Sequence, residues 1–129
     1  MSISRKLSVG GTLGGGGVSE FSFVAIEGNT SLTTATVPSS AQVGDLCVIF
    51  SIGVSSGAPA NPSGWSQIYR IDGSLFSSRG IYKVLTSGDA GSSVTVNSST
   101  SGTVYGATIS LVVRGDLPLT SVNVSSLTS

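Results

Sequence analysis

The sequence predicts an all-β fold, an antiparallel β-sandwich or jelly roll with an extended N-terminal arm and a C-terminal tail. Three observations carry this. No stretch shows three or more turns of helical periodicity. Seven or eight short runs rich in β-branched and aromatic residues are separated by turn signals. The 129 residues include 18 Gly, 27 Ser and 12 Thr, close to half the chain, which suits turns and pleated surfaces. The length is that of one domain, and the apolar strand residues suffice for one core. The expected division is a Gly-rich arm over 1–19, a β-domain over 20–115 and a tail over 116–129.

The arm carries Gly10-Gly11 and then Gly14-Gly15-Gly16-Gly17. Glycine loses the most backbone freedom on ordering, so such a run reads as a loose tail in a free monomer, or as an arm held by a neighbouring subunit or other partner. From Phe21 the pattern is strand-like: Phe21, Phe23 and Ala25 alternate with Ser22, Val24 and Ile26. Gly28-Asn29 reads as a turn, and Leu32 to Val37 as a Thr-rich strand stopped by Pro38. Asp45 to Ile52 is the strongest apolar run; bounded by Gly44 and Gly53, it reads as a central strand with both faces covered. Val54 to Gly64 is a Ser/Gly/Pro loop leading to Trp65. Ile68 to Ile71 and Leu75 to Leu85 flank Asp72-Gly73, a hairpin signal. Ser87 to Gly91 is a turn, and Val94 and Val96 alternate with polar residues. In the last clear strand Tyr105, Ala107, Ile109, Leu111 and Val113 share one face, and Gly106, Thr108, Ser110, Val112 and Arg114 the other. The tail keeps a weak alternation at Val122 and Val124 and is broken by Pro118.

Charge and chemistry are sparse. Charged residues make up 9% of the chain, six basic against six acidic, so there is no electrostatic footprint for nucleic acid or an anionic membrane. No segment approaches the ~20 unbroken apolar residues of a membrane helix. Met1 to Val9 lacks the apolar segment of a secretory signal. The absence of histidine removes imidazole acid–base chemistry and imidazole metal sites. A single cysteine, Cys47, allows no intrachain disulfide; inside an apolar strand it reads as a small buried hydrophobe. Glu20, Glu27, Asp45, Asp72, Asp89 and Asp116 are scattered singly, without the facing pair a glycosidase needs. No calcium-loop pattern occurs, and no cofactor is expected. Arg114-Gly115-Asp116 spells an adhesion tripeptide, yet it reads equally as a strand end followed by a turn. Trp65 and Tyr69 are the candidates for a ligand-stacking pair; the plainer reading is that Trp65 covers one end of the core.

One ordered set of short motifs remains. Val37-Pro38 is followed by Val43-Gly44-Asp45-Leu46 and Pro62-Ser63-Gly64-Trp65. Then come Ile81-Tyr82-Lys83-Val84, Ser87-Gly88-Asp89, Val94-Thr95-Val96 and Ser110-Leu111-Val112-Val113-Arg114-Gly115. From Val37 to Gly115 this order resembles a β-sandwich module of tailed-bacteriophage virion proteins, found in tail fibres and small capsid-associated proteins. That resemblance implies a non-enzymatic structural role. With neither coiled-coil heptads nor collagen-like repeats, the chain suits a capsid decoration (cement) protein on the outer surface of the virion. Its implied partners are the major capsid protein and further copies of itself, as a homotrimer. Gly10, Gly11, Gly14, Gly15, Gly16 and Gly17 would then be the partner-binding residues of the arm. The alternative within the family is a tail adhesion module that binds a host-surface glycan through Trp65 and the 54–64 loop.

Overall fold

The computed structural model of the chain describes residues 3–11, 21–29, 34–53, 60–73, 75–96, 106–115 and 119–128; for the first and last of these, the backbone pairing. Among them every regular element is a strand and every pairing is antiparallel. The elements are β1 (Ile3–Gly11), β2 (Phe21–Asn29), β3 (Thr34–Thr36), β4 (Leu46–Gly53), β5 (Ser66–Asp72), β6 (Ser77–Val84), β7 (Ser93–Thr95), β8 (Gly106–Gly115) and β9 (Leu119–Thr128). Five form one sheet in the order β2-β8-β4-β6-β5, β3 pairs with β7, and β1 pairs with β9.

The apolar run after Asp45 becomes the central strand β4, flanked by β8 and β6. The chain leaves this sheet after β2 to make β3 and returns as β4. It leaves again after β6 to make β7 and returns as β8. The two excursions pair with each other, Ala35 opposite Val94, and backbone bonds between Val37 and Gly91–Ser92 lengthen that pairing. One face of β4 (Cys47, Ile49) packs with Ala35, Val37, Val94 and Val96 of the small sheet. Ile81, Leu85, Val112 and Trp65 complete this core. The expected alternation in β2 breaks at a bulge between Phe23 and Ala25. The extra residue lets Val24 pack on the core and sends Ile26 to the side that Phe21 and Phe23 occupy.

The Asp72-Gly73 signal is a hairpin: Asp72 pairs with Ser77, and the Gly73 N–H donates to Phe76 O at 2.9 Å. A bulge between Gln67 and Tyr69 places both Ile68 and Tyr69 over Gly80, where any Cβ would come within 2.8 Å of the Tyr69 ring.

The arm and the tail, expected as separate extensions, meet in one ladder. Leu7 stands opposite Val124 and Val9 opposite Val122, while Lys6 faces Ser125 and Ser8 faces Asn123. Over residues 6–9, apolar positions therefore register with apolar ones and polar with polar, whereas nearer the ends Ser4 stands opposite Leu127 and Ile3 opposite Thr128. Gly10 and Gly11 belong to β1, at a register shift opposite Ser121 and Leu119. Gly14, Gly15, Gly16 and Gly17 lie outside the described residues.

Replacing Ile49, fully buried at the centre of the core, tests this packing. Ile49→Ala should lower the unfolding free energy by about 3 kcal/mol, read from the midpoint and slope of urea denaturation.

Candidate functional site: turn staples and an apolar sheet face

Two turns share one design. Gln42-Val43-Gly44-Asp45 and Thr86-Ser87-Gly88-Asp89 each close with the aspartate N–H on the carbonyl of the first residue, at 3.1 and 3.2 Å. In each, the aspartate carboxylate accepts the N–H of that same first residue, at 2.8 Å on Gln42 and 2.6 Å on Thr86. Gly44 and Gly88 have φ of 91° and 88°, the left-handed backbone that the second central position of a type II turn demands. Each aspartate is then tied to a base in the large sheet. Asp45 receives Arg114 Nε and Nη2, both at 2.8 Å, in a two-pronged pair. Asp89 receives Lys83 Nζ at 2.9 Å.

Burial alone would raise the Asp45 carboxyl. The hydrogen bond from Arg114, the Gln42 N–H and the Arg114 charge outweigh it and hold the group below its ordinary 3.8. Asp89 behaves alike: burial raises it, while the Thr86 N–H, Lys83 and the Thr86 hydroxyl bring it below that value. Arg114, the first residue of the adhesion-like tripeptide, is thus engaged in a structural pair; Asp116 lies outside the described residues.

A further basic residue, to which no sequence signal points, is Arg79. It is fully buried on the core side of β6, donating Nη1 to Val96 O at 3.2 Å and Nη2 to Asn61 Oδ1 at 2.9 Å. It joins the large sheet to the end of the small one and to the segment before Trp65. Cys47 is buried in the core with Ile49 and Ile81, and burial, assisted by the Asp89 charge, pushes its thiol up to about 12.

The proposed stacking pair does not come together. Trp65 lies in the core cluster with Cys47, Ile49 and Ile81, at the turn closed by its N–H on Pro62 O. Tyr69 packs on the opposite side of the sheet, with Leu46, Val48 and Ile68. Its ring stacks on Phe50 at 6.4 Å between centroids. Its hydroxyl donates to Ser78 Oγ at 2.9 Å, since Ser78 Oγ itself donates to Ser51 O at 3.0 Å. Among the described residues no group of three metal-ligating side chains gathers, and the three aspartates are each held by their own cation.

The second face of the large sheet is the more unusual surface. Its registers form cross-strand rows: Ile109–Phe50–Gly80–Tyr69, then Ile26–Leu111–Val48–Tyr82, then Phe23–Val113–Leu46–Val84. In β8 the buried residues are Thr108, Ser110 and Val112, so its small hydroxyl-bearing row packs on the core. The more apolar row, with Ile109 at its centre, turns to the second face. No charged residue occupies these rows.

Asp45 and Asp89 both have folded-state pKa values below the unfolded value. The stability they contribute is therefore complete above about pH 4 and is lost as pH falls through 3.8 toward the folded values. The denaturation midpoint should fall over that window in the native chain. Asp45→Asn should be less stable at pH 7 by about 2 kcal/mol and show a shallower acid decline. A thiol reagent such as DTNB should leave Cys47 unlabelled at pH 8 in the folded protein and label it fully in denaturant.

Comparison of the chain with protein-family models, with curated proteins and with solved structures gives no match.

Proposed function

We propose that the chain is a non-enzymatic structural protein of a tailed-phage virion, a capsid decoration protein that binds the outside of the assembled head and clamps neighbouring capsid subunits. In this reading the large sheet and the β3–β7 pair make up a small β-sandwich, which is the body of the clasp. The observation that carries the proposal is the β1–β9 ribbon. It pairs the two ends of the sequence in a two-stranded sheet separate from the five-stranded one. A small β-body together with a separate two-stranded ribbon suits a protein that must contact more than one capsid subunit. A two-stranded ribbon is marginal by itself in water, so it gains most from lying on another surface. The charged side chains described above serve turns and packing, which also favours a mechanical role over a chemical one.

The mechanism needs no reaction. A protein that binds only the assembled shell stabilises that shell by mass action, about 3–4 kcal/mol per site at 100–1,000 times the dissociation constant. Over many sites this resists the outward pressure of packaged DNA.

The test is co-sedimentation of the protein with heads of the phage that encodes it. The full chain should sediment with assembled heads and not with free capsid subunits, and a chain lacking residues 1–17 should lose most of that binding. Undiminished binding without the arm would refute the clasp. Binding of the full chain to a glycan array, with no binding to heads, would move the protein to the tail, as an adhesion module.

A further inference from the structure

We infer that the second face of the five-stranded sheet is an interface between copies of this chain. The large apolar side chains left exposed on the strands converge there. Phe23 and Ile26 on β2 are 64% and 61% exposed, and Ile52 on β4 and Ile71 on β5 about half. Phe50 and Ile109, direct cross-strand partners, are also exposed. Direct and diagonal neighbours connect these positions into one patch. Together with Phe21 they present on the order of 600 Å² of apolar surface, at the upper limit of what a monomer ordinarily leaves in water.

Three features select a second copy as the occupant. The first is the sequence of β4, which is apolar on both sides, the pattern of a strand covered on both. Its own chain places Ala35, Val37, Val94 and Val96 over the Cys47–Ile49 side, while Phe50 and Ile52 on the other side stay exposed. The second is charge. The rows carry none, so a nucleic acid, an acidic protein or an anionic lipid surface finds no complement, whereas an uncharged apolar face complements itself. The third is area. Two such patches face to face bury roughly 1,200 Å², the lower bound of stable protein–protein interfaces. Sheet faces stack about 10 Å apart with interdigitating side chains, and on the other side the β3–β7 residues Ala35 and Val94 already share a core with Cys47 and Ile49.

Self-association through this face does not depend on the capsid reading, because it uses none of the arm and is measured in the absence of heads. The experiment is sedimentation velocity on the full chain, with Ile26→Lys and Ile52→Lys as interface variants and Val43→Lys as control. Val43 is exposed too, but it lies in the turn before β4, off the rows. Circular dichroism and urea denaturation report whether each variant folds. The native chain and the control should sediment as a single species of twice the 12.8 kDa monomer mass, as a self-complementary face closes in a two-fold dimer. Both interface variants should fold and associate at least about tenfold more weakly. A monomeric native chain overturns the proposal. If that monomer binds ANS, the face awaits a different partner; if it does not, residues of the same chain cover it. Folded variants that keep the native mass overturn it as well.

Discussion

A sheet that is apolar on both sides, of which one side keeps large apolar residues exposed among the described residues, governs the rest of this molecule. The strand that imposes this is β4, whose Leu46, Cys47, Val48 and Ile49 are all buried although they alternate in direction. Everything on the core side is arranged to cover Cys47 and Ile49. The two excursions β3 and β7 supply Ala35 and Val94, Trp65 closes the end, and buried Arg79 fastens the small sheet to the large one. On the other side Leu46, Val48 and Ile68 are packed by Tyr69, Tyr82, Val84 and Val113, and the cover stops there. The fold is therefore asymmetric in what it leaves to other surfaces.

The scarce charges are used where the chain changes direction. Both x-x-Gly-Asp turns set an aspartate against its own turn and then against a base of the large sheet, so the position of a loop is coupled to the position of a strand. Exposed ion pairs such as Arg70–Asp72 contribute little in water, whereas Asp45 is almost fully removed from it and receives three donors. The Gly-Asp pairs thus have a structural reason to occur where they do, independent of any ligand.

Much of this was legible in the residues. The strands β4 and β8 and the Asp72-Gly73 hairpin follow from hydrophobic runs and turn chemistry, because both signals are local. What local patterns do not encode is the extra residue of a bulge. Val24 and Ile68 each shift the phase of a strand, and so the alternation in Phe21–Ile26 gives the wrong side for Ile26. Nor does alternation say which row is buried: in β8 the core takes Thr108 and Ser110 because small side chains fit beneath β3, a fact of tertiary packing. Arg79 escaped notice for the same reason, since its partners Asn61 and Val96 lie 18 and 17 residues away. The Trp65–Tyr69 pair failed because the two residues belong to opposite sides of one sheet. The pairing of β1 with β9 joins the two ends of the sequence, a contact no local window contains.

The strand order has a consequence for synthesis. β8 lies between β2 and β4, and its partners in β2 are about eighty to ninety residues away in sequence, while the β5–β6 hairpin is the sole ladder between consecutive strands among the described residues. As the chain leaves the ribosome, β4, β5 and β6 can pair early, but β2 has no ladder partner until residues 106–115 have emerged. During that interval Phe21, Phe23 and Ile26 wait on an unpaired strand, and β4 offers an open edge. Until residues 106–115 are made, then, the nascent chain carries both an unpaired apolar strand and an open sheet edge, the combination that favours edge-to-edge association of incomplete copies.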